Sequence, residues 1–314
     1  MKFFATLAAT AAIAFSAAAA AAPLLTPAQL DALKSDSAVR VVDIRPVAEY
    51  SAGHIAGAVS APYGQWRGPA DNAGKVPALD KLTALVRSLG LNEATHAVVV
   101  SSGADSTDFG ASARVYWTLK YLGLNNLSIL NGGLKAWTDA GLPQDQAATQ
   151  VAASQYTPVL NTAIMADQDQ VLAQVGNPKT QLIDARPAAF FKGQTKVPAA
   201  KTAGTIQGAV NLENSKWFKP GTSIFVSTDE ARKIAASSLP ETADETISFC
   251  NTGHWAATDW FALSEVLGQK NVKLYPASIV EWTQSAKALP MDNVPGRGTQ
   301  ILNDLKNLVG KVTS

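Results

Sequence analysis

The chain has one cysteine, Cys250, and three histidines, His54, His96 and His254, in 314 residues. No internal disulfide can form, and no cluster of thiolates and imidazoles is present to hold a metal, so none is assigned. Charge of one sign is equally scarce: Lys and Arg number 26 against 25 for Asp and Glu. That balance leaves no field to gather nucleic acid or an anionic membrane, and neither is expected as a partner. No apolar run convincingly reaches the ~20 residues that cross a bilayer. No Gly-rich phosphate loop follows the first strand-like runs, so no nucleotide cofactor is expected, and indeed no cofactor of any kind. What the chain does have is 47% hydrophobic residues, enough for a sizeable core, and a length that suits two domains.

Residues 1–22 begin with Lys2, continue through Phe3, Leu7, Ile13 and Phe15, and end in small residues before Pro23. This is the pattern of a secretory signal cleaved near residue 22. No cysteine stands near the cleavage point to take a lipid, so the mature protein is expected free in the exported compartment, the periplasm of a bacterium. Such compartments oxidise thiols, which makes a lone cysteine a liability unless it is used. The plain alternative is a buried cysteine serving as a small hydrophobe.

An internal repeat organises the rest. The run Val41 to Tyr50 matches Gln181 to Phe190, and each apolar stretch ends in Asp-x-Arg-Pro, with Asp43 and Arg45 in one copy and Asp184 and Arg186 in the other. Gly53 to Pro62 matches Gly204 to Glu213, the second copy carrying a longer polar insert with Lys192, Lys196 and Lys201. Ala113 to Trp137 matches Thr258 to Trp282 without a gap, so Gly123 and Gly268, and Trp137 and Trp282, stand 145 residues apart.

Within each copy, short β-branched or aromatic runs (Val98 to Val100, Thr246 to Phe249) precede an amphipathic segment ending in Leu-Gly, where the glycine suits a helix C-cap. Strands alternating with helices predict an α/β fold, each domain a parallel sheet with helices on both faces. The expected division is a first domain over 23–143, a polar linker over 144–165, a second domain over 166–290 and a tail over 291–314. A short helix is expected in that tail near Ile301 to Val309.

In such sheets ligands bind beyond the carboxyl ends of the strands. Cys250 follows the apolar run Ile247 to Phe249, and Asn251, Thr252, Gly253, His254 and Trp255 lead into a helix near Ala256. Amides of a tight loop and a helix N-terminus both favour a thiolate over a thiol of pKa ~8.5. A thiolate can attack and also leave, which is what sulfur transfer requires.

These residues resemble the tandem-domain rhodaneses, which include thiosulfate and 3-mercaptopyruvate sulfurtransferases. The resemblance covers nearly the whole mature chain. It rests on the Asp-x-Arg strand ends, on Gly-His-Ile-x-Gly-Ala at Gly53 to Ala58, on Asn131 to Trp137, and on the loop Cys250 to Ala256. It implies two rhodanese-like domains of which only the second is catalytic, and a Cys250 persulfide that takes sulfur from a small anionic donor and passes it to a thiophilic acceptor, a protein acceptor included. The loop amides from Asn251 to Ala256 are expected to ring the sulfur. The first-domain loop, Ser101 to Ser112, has no cysteine and carries Asp105 and Asp108, which fits the asymmetry.

Departures from the family pattern bear on the donor. The loop lacks the cations found in the thiosulfate enzymes, and Phe190 stands where an arginine is common. His254 is a candidate to bind the substrate anion or relay a proton, its reference pKa of ~6.5 lying near working pH; the alternative is a solvent-facing ring without a role. Trp255 reads as an apolar wall or as interface packing. Arg186 is the candidate anion clamp, although its twin Arg45 in the copy without a nucleophile supports a structural pairing with Asp184 equally well. The lysines of the insert could reach over the site. His54 is expected to make a structural hydrogen bond, and nothing singles out His96. A phosphatase needs an arginine six residues after the cysteine, where this chain has Ala256. The remaining alternative is a sulfur or selenium carrier, or a persulfide-binding module, that loads once and does not turn over.

Overall fold

Each copy of the repeat builds its own sheet, because its β-branched runs sit between helices that cover both faces. The computed structural model describes residues 21–239, 243–296 and 298–299. The expected leader over 1–22 lies outside these but for its last two residues, and so does the helix expected near 301–309. In the first copy β1 (Leu24–Leu25), β2 (Val39–Asp43), β3 (Val59–Ser60), β4 (His96–Val100) and β5 (Leu127–Leu130) form a parallel sheet in the order β1-β5-β4-β2-β3. In the second, β6 (Thr180–Asp184), β8 (Val210–Asn211), β9 (Glu245–Phe249) and β10 (Val272–Leu274) form a parallel sheet ordered β10-β9-β6-β8. Strand β7 (Thr205–Ile206) pairs antiparallel with β11 (Met291–Asp292) beside it.

The helices are α1 (Pro27–Leu33), α2 (Val47–Ala52), α3 (Leu79–Ser88), α4 (Ser106–Tyr121) and α5 (Gly133–Asp139), then α6 (Gln168–Gln174), α7 (Ala188–Phe191), α8 (Thr228–Ser238), α9 (Trp255–Trp260) and α10 (Ser278–Gln284). Along the strands successive side chains point to opposite faces. Val41, Val98 and Val100 join Leu30 of α1 and Trp137 of α5 in one core. Val42 and Val99 join Leu82 and Val86 of α3 and the apolar residues of α4 in another. The second sheet repeats this, with Leu182, Ile247 and Phe249 against Val171 of α6 and Trp282 of α10.

The core on the inner face of the first sheet runs on through Ile183, Trp260 and Phe261 into the second domain. Helix α4 is therefore sandwiched, and every residue from Phe109 to Leu119 is buried. The amphipathic segment expected here has no solvent face from Phe109 to Leu119: it is packed on all sides, and its polar Arg114 and Thr118 are buried with hydrogen bonds of their own. Its partner α9 continues into a π-helical stretch, Phe261–Val266. Both segments close on the expected glycines, Gly123 at φ 101° and Gly268 at φ 67°.

Sheet register positions the site. Asp43 pairs with Val100 and Asp184 with Phe249, so the residue leaving β9, Cys250, is the counterpart of Ser101 leaving β4. The stretch from 144 to 165 lies along the first domain, with Asp145 and His54 exchanging backbone hydrogen bonds and Asn161 N–H donating to Tyr121 O.

Candidate active site

Cys250 stands at the end of β9, 1% exposed, and its loop is held from beneath by the start of α10. Ser278 Oγ accepts from the N–H of Cys250 and of Gly253, both at 3.1 Å, and donates to Tyr275 O at 2.7 Å. Ile279 N–H and Val280 N–H donate to the carbonyls of Cys250 and Asn251. This corrects the expectation that all amides of the loop face the sulfur: Gly253 N–H is spent on Ser278. The amides of Asn251, Thr252, His254, Trp255 and Ala256 have no protein acceptor among the described residues. Gly253 sits at φ 63°, and a Cβ there would stand 2.4 Å from Pro276 O.

The other half of the loop is gripped by the first domain. Arg67, just after the 3₁₀ turn Tyr63–Trp66, donates from Nη2 to Thr252 O at 2.9 Å and to Thr252 Oγ1 at 3.0 Å. Arg114 of α4 donates to Gly253 O at 3.1 Å and to Gly74 O at 2.8 Å. Burial, helped by the neighbouring Arg67 charge, lowers the Arg114 pKa to about 9, which leaves it cationic at neutral pH. Asn72 Nδ2 donates to Ala277 O at 3.0 Å, and burial raises the Tyr63 phenol, keeping it neutral.

His254 is a strut between the domains. Thr107 O lies 2.7 Å from Nε2 and Tyr63 Oη 2.7 Å from Nδ1. A carbonyl only accepts, so the proton is on Nε2 and Nδ1 accepts from the tyrosine. Burial first, and then the charge of Arg67, lowers the ring to about 4. It is neutral at pH 7, which corrects its expected role as a protonated anion binder. Since the folded pKa lies below the unfolded ~6.5, this ring's contribution to stability is complete above pH 6.5 and is lost as pH falls toward 4. Urea unfolding of the wild type should lose about 2 kcal/mol from this ring across that window, and His254→Gln should flatten the profile by that amount. Equal slopes for the two proteins would contradict the assignment.

Arg186 does not reach the cleft. It is fully buried, with Nε and Nη2 on the two oxygens of Asp184 at 2.8 and 2.6 Å and Nη2 also on Gly204 O at 2.8 Å. Arg45 makes the same bonds to Asp43 and Gly53 O. Of the two readings weighed for Arg186, the anion clamp is thus corrected and the structural pairing with Asp184 is the one found; the same pair in both copies ties β2 and β6 to the Gly motifs that follow them. Lys196 and Lys201 donate to the carbonyls of Ala200 and Gln284, so the insert presents Val197, Pro198 and Ala199 to the cleft instead. Trp255 takes both expected places, walling the cleft while bonding Thr107 Oγ1 across the interface. Ala256 is buried in α9, and Asn251 turns its side chain toward Arg186. His54 is buried, stacked on Tyr50 and bonded to Tyr50 O, and His96 bonds Ser128 Oγ.

Sequence reasoning missed Tyr63, Arg67, Arg114 and Ser278. One signal was present: the ungapped match of 113–137 with 258–282 sets Arg114 against Asp259. The resulting cleft, about 480 Å³, opens between the domains with Cys250 in its wall and apolar residues over most of its surface.

Comparison with known proteins agrees with this architecture. A model of the rhodanese-like domain matches twice, over residues 26–140 and 167–285. A thiosulfate sulfurtransferase of Azotobacter vinelandii is 31% identical over 82% of this chain and 93% of its own. The crystal structure of SseA from Escherichia coli, of the 3-mercaptopyruvate enzymes, superposes with a TM-score of 0.71 at 26% identity over 82% of this chain and 98% of that one. An anaerobic ergothioneine biosynthesis enzyme from Chlorobium limicola shares the fold, with a TM-score of 0.77 at 19% identity over 87% of this chain and 71% of that one.

Proposed function

The chain belongs to the rhodanese family, and from that premise we propose that it is a sulfurtransferase working through a persulfide on Cys250, with thiosulfate or 3-mercaptopyruvate as donor. The observation that carries the reading is the chain's lone cysteine at the mouth of β9, inside an interdomain cleft, on a loop gripped from both domains. The Cys250 thiolate attacks the donor's terminal sulfur; the new S–S bond forms as that sulfur's bond to the donor breaks, and sulfite leaves from thiosulfate, or from 3-mercaptopyruvate the enolate of pyruvate, which takes up the proton lost by the mercapto group. A thiophilic acceptor such as cyanide then takes the outer sulfur and restores the thiolate. The loop amides not bonded within the protein, at Asn251, Thr252 and His254 to Ala256, supply donors to the anionic persulfide. The reading includes export: the leader over 1–22 would deliver the mature enzyme to the periplasm.

The test is the intact mass of the mature protein after each donor in turn, and again after cyanide. A gain of about 32 Da that cyanide removes, with continued turnover, supports the enzyme. Loading without turnover would favour the carrier, and absence of any adduct from either donor would sink the small-donor reading.

Gly253→Ala tests the loop geometry. Alanine at a left-handed φ costs ~1–2 kcal/mol and its methyl must push Pro276 O away, so the loop shifts under the sulfur. Stability should fall by about 2 kcal/mol and the loading rate by about tenfold, read by thermal melts and by single-turnover mass spectrometry. An unchanged loading rate would show that loop backbone placement is not critical.

A further inference from the structure

An anionic donor needs a cation beside the nucleophile, and the described residues of the catalytic domain put none in the cleft wall: the loop is neutral, Arg186 is sealed beneath it, Lys196 and Lys201 of the insert turn to carbonyls, and Lys192 is not among the lining residues. We propose that Arg67, on the domain without the nucleophile, is the anion clamp of the Cys250 cleft, and that the donor carries one carboxylate- or sulfonate-type group. The donor's identity as a sulfur compound rests on the reading above; the anion site does not.

Two observations carry this. Arg67 is the one cation among the described residues that wall the cleft, together with Cys250, Thr252 and Trp255. Its Nη2 is committed to Thr252, and its guanidinium lies 5.2 Å from the Tyr63 ring centre, which orients it. Its Nη1 is buried with no hydrogen-bond partner. A charged donor left unmatched on a side chain that lines the same cleft as the nucleophile is a group that an incoming oxyanion satisfies. Arg114 also leaves Nε unmatched, but it is not among the residues that line the cleft, whereas Arg67 is. Asp71 is the carboxylate of the same wall; it is 64% exposed and lies 4.0 Å from Lys75 Nζ, so it opposes the clamp weakly. One cation set against the apolar Val197, Pro198 and Trp255 fits a donor with a single negative charge and an organic body.

The repeat supplies the second observation. The turn Tyr63–Trp66 has its counterpart in Asn214–Trp217, so Arg67 corresponds to Phe218. Phe218 is 6% exposed and packs on Phe109 of α4, the helix that follows the Ser101 loop. Arg114 likewise corresponds to Asp259. The copy that faces cysteine carries arginines at both places, and the copy that faces serine carries neither.

The experiment compares alkylation of Cys250 by anionic iodoacetate and neutral iodoacetamide in the wild type, Arg67→Gln and Arg67→Lys, with melts to establish folding. Arg67→Gln should slow iodoacetate about tenfold more than it slows iodoacetamide, and Arg67→Lys, which keeps the charge and loses the fork, should fall between. Should the glutamine variant fail to fold, the lysine variant alone decides by the same ratio. Equal slowing of both reagents, or an iodoacetate rate that neither variant changes, overturns the clamp. In turnover, Arg67→Gln should raise KM for either donor about tenfold, a larger effect than on discharge of the loaded protein to neutral dithiothreitol, which falls only as far as the lost Thr252 bonds loosen the loop. A selective loss with iodoacetate in a protein that no donor can load would keep the anion site and overturn the sulfur-transfer reading.

Discussion

Cys250→Ser yields a folded protein that takes up no sulfur, at least ~10⁴-fold below the wild type in donor-dependent thiocyanate formation. The exchange replaces Sγ by a smaller Oγ at a site 1% exposed, so packing is hardly disturbed. The buried hydroxyl costs ~1–2 kcal/mol if it finds no partner, a loss of a few degrees in Tm. Chemistry suffers far more. A serine hydroxyl near neutral pH is un-ionised, and no histidine stands ready as its base: both nitrogens of His254 are occupied by Tyr63 and Thr107. Oxygen also makes a poor partner for sulfane sulfur, so even a forced attack gives no stable carrier. The chain has no second thiol to take over. Thiocyanate formation by the variant above the buffer rate would remove Cys250 from the mechanism.

The parts of this site that the sequence made legible are those built from neighbours in the chain. The Asp-x-Arg motif marks strand ends because proline and a polar pair cannot continue a buried parallel strand, and both β2 and β6 stop there. Cys250 was placed beyond β9 for the same local reason. The residues missed come from far along the chain: Arg67 meets Thr252 across 185 positions and Arg114 meets Gly253 across 139. No local pattern encodes a contact of that kind. Helix α4 misled in a related way, since the periodicity of an amphipathic helix presumes one wet face and α4 has none. Burial was the other blind spot. Arg186 read equally as a clamp and as a partner of Asp184, and His254 as a protonatable group; folding settles the first on Asp184 and strips the second of its proton.

Arg186→Ala separates a structural arginine from a substrate-binding one. Asp184 accepts from Arg186 Nε and Nη2, from Thr205 Oγ1 at 2.7 Å and from the Arg186 backbone N–H at 3.0 Å. Removing the guanidinium leaves a carboxylate at 0% exposure with half its donors gone, and also frees Gly204 O. Breaking one side of such a buried pair costs about 3–5 kcal/mol, which for two fused domains of this size lowers Tm by roughly 10 °C. Donor KM, measured well below the melt, should stay within about twofold, because no atom of Arg186 is open to the cleft. A modest fall in kcat is compatible with this, since Nη1 reaches Asn251 Oδ1 at 3.4 Å and its loss loosens the loop. Arg45→Ala is the internal control: the same bonds to Asp43 and Gly53 O predict the same thermal penalty in the domain without the nucleophile. An Arg186 variant that keeps its Tm and loses affinity for the donor would instead restore the clamp to this arginine. It would also leave the repeat without a reason to carry the same Asp-Arg pair where no substrate binds.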